Sequence, residues 1–254
     1  MSSSIWTRCG EKANLRRLGG RVWRVVEAQH VTATRKLVDT LEQQETLERL
    51  IDGSKPAAPT RAGARPLHYL LFTPFRYPPL GHGSRFGSRA DPSLWYGSSR
   101  PRTAFAECAY YRLLFLEGTT ADLGSVAVDL SLFDVTIATR RGVDLTRPPF
   151  DAHRAAIASP TDYAGSRSLG RAMREAGVEA FRYPSARDAR GGVNVALFTP
   201  APFAGGNPGA PETWHSVTSR RRVEFVKKDV FERRSFVFAR EEFEVAGRLP
   251  APAL

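Results

Sequence analysis

Between Phe75 and Arg112 the chain reads FRYPPLGHGSRFGSRADPSLWYGSSRPRTAFAECAYYR, a run denser in reactive side chains than the rest of the sequence. It holds Arg76, Arg85, Tyr96 and Glu107, and the last three are spaced by eleven residues each. Arg85 follows Gly81-His82-Gly83-Ser84, whose small side chains let a ligand come close. Glu107 stands among Ala104, Phe105, Cys108 and Ala109, where a carboxylate is costly to bury unless it is paired. Either Glu107 pairs an arginine to fix its helix, or arginine, tyrosine and glutamate together form a functional pocket. Other chemistries lack their residues. A near-fingerprint for dinucleotides at Gly81-His82-Gly83 has its third glycine at position 87, one place late, and no strand–turn–helix around it. There is no Walker A lysine, HExxH, CxxC or GxSxG, and the five histidines are dispersed, which argues against a metal enzyme.

These residues need elements to hold them. Residues 1–20 read as a loose arm, Arg21 to Glu27 as a strand, and 32–52 as a helix with an apolar stripe of Leu37, Val38, Leu41, Leu47, Leu50 and Ile51. Lys55 to Pro66 is a Pro/Ala/Gly-rich connection, Leu67 to Phe75 a strand candidate, and 78–92 a Gly-rich loop. A short strand, Leu94 to Gly97, leads into a helix over 99–117 with Pro101 in its first turn. Ser125 to Phe133 alternates as a half-buried strand, with Val126, Val128, Leu130 and Leu132 on one face. Thr161 to Ala176 is helical, Val178 to Tyr183 and Val193 to Thr199 are strands, and 213–246 gives two or three more. Helices and strands mix without regular alternation, so the expected class is α+β.

The chain has 254 residues, enough for a sizeable core, with 42% hydrophobic and 25% charged residues, which excludes wholesale disorder. No apolar run reaches the ~18 residues of a membrane span, and no apolar segment opens the chain as a secretory signal would, so a soluble cytoplasmic protein is expected. Cys9 and Cys108 form no disulfide framework. Lys+Arg is 37 against Asp+Glu 26, giving +11. Arginine suits bidentate phosphate contacts, so a nucleotide, a nucleic acid or an acidic protein could be bound. The basic doublets are scattered rather than carried by one helix, which disfavours direct nucleic-acid binding.

The runs GSRF, WYGSS and TAFAE, followed by Tyr183-Pro184-Ser185-Ala186-Arg187 and the Asn-containing strand Gly192 to Phe198, resemble the RES-domain family, named for its Arg, Glu and Ser. The strand around Val22-Trp23-Arg24 is similar too, so the resemblance covers roughly residues 21–200. It implies a single RES-like domain over 21–254, with a motif core at about 67–200 and a C-terminal β extension at 213–246. The implied fold is a curved mixed β core with flanking helices, like that of ADP-ribosyltransferases. The implied activity is that of a toxin that consumes NAD by hydrolysis or phosphorolysis of the nicotinamide–ribose bond. NAD is then substrate, no prosthetic group is needed, and an Xre-type antitoxin neutralises the enzyme, with a homo-oligomer or a toxin–antitoxin hetero-oligomer as the assemblies to expect. Carried over, the family's catalytic positions fall on Arg85, Tyr96, Glu107 and Ser185. Glu107 would bond a ribose hydroxyl and stabilise the oxocarbenium-like cation, Arg85 would grip the diphosphate, Tyr96 would stack, and Ser185 would donate to a phosphate or position the acceptor. Asn194, Arg76 and Arg24 are further substrate-binding candidates, although a surface or ion-pair role is the readier reading of the two arginines. ADP-ribosyl transfer to a protein or small molecule is the alternative, because only the acceptor differs, and a basic nucleic-acid-binding protein comes third.

Overall fold

The computed structural model describes residues 4–28, 38–54, 67–121 and 123–251. Its centre is an eight-stranded mixed sheet: β1 (Arg16–Glu27), β2 (Trp95–Ser98), β3 (Ser125–Asp144), β4 (Ala180–Pro184), β5 (Val193–Leu197), β6 (Glu212–Ser219), β7 (Arg222–Lys227) and β8 (Ser235–Ala239). The order is β1-β2-β5-β4-β3-β6-β7-β8, and β1 also pairs with β3. Five strands, β1-β2-β5-β4-β3, therefore close on themselves as a ring, and β6 to β8 continue the sheet outward. Only β3 and β4 run parallel.

The ring closes because β3 is long and changes partners. It pairs with β6 from Ser125 to Leu132, with β1 from Leu130 to Gly142, and with β4 from Gly142 to Asp144. Its side chains change core as well. Leu130 and Leu132 pack with the aromatic cluster of β6 to β8, whereas Phe133, Val135 and Ile137, on the opposite face, fill the ring. The alternation expected over 125–133 stops at Phe133 because from there the other face is the apolar one, and the strand runs on for eleven more residues to Asp144.

Six helices accompany the sheet among the described residues: α1 (Ile5–Arg8), α2 (Leu41–Ser54), α3 (Tyr69–Arg76), α4 (Pro101–Glu117), α5 (Arg154–Ile157) and α6 (Ala164–Glu175). α4 begins with proline at a position where the missing N–H costs nothing. Its Phe105, Ala109, Tyr110 and Leu113 pack on Trp214, Phe225 and Phe238. No helix among the described residues is long and apolar enough to cross a membrane.

Three expectations are corrected. The strand expected over Leu67 to Phe75 is the helix α3, whose His68 caps it by accepting from the Leu70 N–H at 3.3 Å. Its Leu70 and Leu71 plug the ring between Leu18, Trp95 and Val195. Residues 4–20 are not a loose arm: α1 buries Ile5 and Trp6 with Cys9, and β1 already starts at Arg16. The helix expected over 32–52 is described as α2 from Leu41. Its Leu50 and Ile51 are exposed rather than buried as the expected stripe required. Leu37 and the connection 55–66 lie outside the described residues. β6, β7 and β8 match the strands expected over 213–246 and belong to the same sheet as the ring.

Trp6 is stacked on Phe150 with ring centroids 6.0 Å apart, so Trp6→Ala removes a core aromatic and should cost about 3–5 kcal/mol. Urea unfolding measures the difference; a truly loose arm would leave the midpoint where it is.

Candidate active site

The strands of the ring present one row of side chains in register: Trp23 of β1 opposite Ser98 of β2, Ser98 opposite Asn194 of β5, and Asn194 opposite Tyr183 of β4. All four border a cavity of ≈ 540 Å³. α4 forms the facing wall with Ala104, Glu107, Cys108, Tyr111, Arg112 and Phe115, the 3-and-4 spacing of a single helical face. β1 supplies a third side from Trp23 to Glu27.

Glu107 enters this cavity from the middle of α4 and is held by neutral donors. Its Oε1 accepts from Ser185 Oγ at 2.7 Å and from Asn194 Nδ2 at 2.5 Å. Asn194 is 1% exposed, and its other amide atom, Oδ1, accepts from Ser98 Oγ at 2.6 Å. Ser185 Oγ itself accepts from the N–H groups of Arg187 and Asp188, both at 3.0 Å. Asp188 in turn accepts from Thr103 Oγ1 at 2.8 Å and lies 3.6 Å from Arg102 Nε, which fastens the loop after β4 to the first turn of α4. The pairing of Glu107 with an arginine does not occur among the described residues. Oε1 takes both bonds, and Oε2 accepts no hydrogen bond among the described residues.

Arg85 sits on a loop that α6 grips. Ser166 Oγ donates to the Arg85 carbonyl at 2.7 Å, and Arg167 Nε donates to the Ser84 carbonyl at 3.1 Å. Gly170 of α6 meets the Phe86 carbonyl so closely that any Cβ there would clash with it. The Arg85 guanidinium donates to Ser159 O at 2.6 Å and stacks over the Tyr163 ring at 4.4 Å. Arg187 reaches the same Tyr163 hydroxyl at 3.3 Å while lying 3.6 Å from the centre of the Tyr110 ring. Tyr96 Oη meets Ser84 Oγ at 2.9 Å. Burial pushes the Tyr96 phenol up, more than the Ser84 bond draws it down, so the ring is neutral at physiological pH.

Arg24 belongs to the cavity rather than to the surface. Nη1 donates to the Tyr96 carbonyl at 2.5 Å, and the guanidinium lies 5.2 Å from the centre of the Trp95 ring. It faces no carboxylate among the described residues, and burial pulls its pKa down to about 10. Such a cation remains charged at neutral pH and favours an anion in the cavity. Cys108 stands on the α4 wall, and burial raises its thiol to about 11, against the pull of Arg112.

The RES domain family matches residues 58–217, well over half of the chain. The chain belongs to the RES family. No protein among the curated ones matches. Among solved structures, the crystal structure of the M. tuberculosis MbcT–MbcA toxin–antitoxin complex is similar at 16% identity, over 72% of this chain and 75% of that one, with a TM-score of 0.40.

In this RES domain the four expected catalytic positions lie around one cavity: Arg85, Tyr96 and Glu107 border it, and Ser185 bonds Glu107 from behind. Asn194 and Arg24 border it as well, and Arg76, at the end of α3, does not. Several contributors escaped the reading of the sequence, Arg187, Tyr163 and Glu27 among them. Arg187 stands two places after Ser185 within the quoted Tyr-Pro-Ser-Ala-Arg run, so a signal was there. Tyr163 and Glu27 carry none, and β1, which precedes the matched segment, forms a whole side of the cavity.

Asn194→Leu keeps the side-chain volume but strands the Ser98 hydroxyl and removes a donor from Glu107. An unsatisfied buried group costs about 1–3 kcal/mol, and each kcal/mol lowers Tm by roughly 2–4 °C in a domain of this size. Thermal melts should show the loss, and Asn194→Ala should do no better.

Proposed function

We propose that this RES domain cleaves the nicotinamide–ribose bond of NAD, with water or phosphate as acceptor, and serves as the toxin of a pair that an antitoxin protein of the Xre type holds inactive in the cytoplasm. One observation carries the reading. A carboxylate whose Oε1 is held by Ser185 and Asn194, and whose Oε2 accepts no hydrogen bond among the described residues, borders one cavity with Arg24, Arg85 and Arg187. The family resemblance supports it from the side of the sequence, and the ADP-ribosyltransferase-like ancestry of the core is part of the same proposal.

The residues suit each stage of the reaction. As the C–N bond breaks, its electron pair leaves with nicotinamide and the ribose becomes an oxocarbenium-like cation. Glu107 Oε2 bonds a ribose hydroxyl and faces the developing positive charge. The bonds to Oε1 fix the carboxylate in place beforehand, so no reorganisation is needed when the charge appears. The arginines hold the diphosphate, and Arg85, with one edge already anchored on Ser159, offers the rest of its fork. Water or phosphate then attacks the cation and loses a proton. A net charge of +11 favours an acidic or mixed-charge protein as the neutralising partner.

Purified protein should lower NAD concentration without any protein acceptor, and adding phosphate should accelerate the loss only if phosphate is the acceptor. Glu107→Gln keeps the shape and removes the charge, so the rate should fall ~10²-fold or more; undiminished turnover would sink the assignment.

Arg85→Lys keeps the charge but not the fork, and should raise KM for NAD by roughly one to two decades, the worth of a charge-assisted pair. Arg221→Lys, at an exposed position, should leave the kinetics alone when both are compared at one ionic strength. Equal behaviour of the two would move the phosphate contact to Arg24 or Arg187.

A further inference from the structure

The cavity is a groove with unlike ends. Along α4 its wall runs from Ala104 to Phe115, eleven residues, or ~16 Å at 1.5 Å per residue. Glu107 lies near the inner end, where the ring strands bring Ser185, Asn194 and Ser98 together. The outer end holds Tyr111 and Phe115, one helical turn apart, 53% and 58% exposed and both lining the groove. Between them Arg112 pairs with Glu27 of β1 at 3.0 Å, a polar bridge over the apolar floor.

Single exposed apolar residues need no explanation. Two exposed aromatic rings one helical turn apart, lining a groove that continues to Glu107, offer π-faces to a ligand. That is the surface on which a nucleobase stacks. Phe115 is eight residues from Glu107, or ~12 Å along the helix. This matches the reach of a half-extended dinucleotide from the ribose that loses nicotinamide to the far base, and Arg24, Arg85 and Arg187 border the same cavity.

We propose that the outer end of the groove is the adenine subsite, with Tyr111 and Phe115 as its stacking platform, so that the enzyme recognises the whole dinucleotide and not the nicotinamide half alone. This rests on the NAD reading of the inner end.

The test compares Tyr111→Ala, Phe115→Ala and the double variant on two substrates: NAD, and nicotinamide mononucleotide, which has the same scissile bond and no adenine. The rings are exposed, so melting curves should stay at the wild-type position. Each single variant should raise KM for NAD by about 10-fold, in line with the worth of one stacked base, with kcat unchanged. The mononucleotide, if cleaved, should be processed by all variants as by wild type. Unchanged NAD kinetics, or equal losses on both substrates, would overturn the subsite. Calorimetric binding of ADP-ribose separates its failure from that of the underlying reading. A wild-type protein that binds ADP-ribose but cleaves nothing refutes the NAD reading alone, and the subsite then stands if the double variant binds at least 10-fold more weakly. Equal binding by wild type and double variant, or none by either, refutes the subsite.

Discussion

The carboxylate of Glu107 is the point at which helix and sheet are joined. Oε1 takes hydrogen bonds from a residue just after β4 and from one in β5, and β2 braces the second of these through Ser98. A carboxylate enclosed by alanines and aromatics would be costly without donors. Here each donor is itself held, Ser185 by two backbone N–H groups and Asn194 by its place in the ladder. On its other side α4 is fixed by tilted aromatic pairs, with Phe105 4.5 Å from Trp214 and 4.7 Å from Phe225, measured between ring centroids. The helix therefore has little freedom to rotate, and Glu107 stays on the wall of the cavity.

Charge is distributed unevenly around that space. Arg24, Arg85, Arg112 and Arg187 all border the cavity, and the acids that border it with them are Glu27 and Glu107. Glu27 is spent on Arg112. Arg85 and Arg187 share the hydroxyl of Tyr163 instead of a carboxylate, and Arg24 is supported by a carbonyl and an indole ring. Folding thus sets several cations close together with few counter-charges, which an anionic ligand relieves. The overall charge of +11 says less than this local excess, since the basic doublets of the sequence, Arg220 to Arg222 among them, do not border the cavity.

Much of the site could be read from the chain itself. The spacing of Arg85, Tyr96 and Glu107 left their pairing open, and it was the resemblance to the RES family, carried by the Tyr-Pro-Ser run and the Asn-bearing strand as well, that singled out Arg24, Arg85, Tyr96, Glu107 and Asn194, which border one cavity, and Ser185, which bonds Glu107. Arg76 was misplaced through the misreading of its own element. Eight residues rich in leucine and phenylalanine fit a buried strand as well as two turns of helix, and only the ring, which needs a plug of Leu70 and Leu71, selects the helix.

What the sequence determined by itself is the inventory: which side chains are available, which segments are helical or extended near the motifs, and that Glu107 must find partners. What the tertiary structure decided is which partners those are and where the cavity's walls come from. Ser185 lies 78 and Asn194 87 positions from Glu107, and Arg24 reaches a carbonyl 72 positions away. No local pattern encodes such contacts. They follow from the ring closing between β1 and β3 and from the register across β2, β5 and β4, which depend on the packing of both faces of β3 at once. For the same reason Trp6 could pass for part of a loose arm: its partner, Phe150, becomes its neighbour only when the chain has folded.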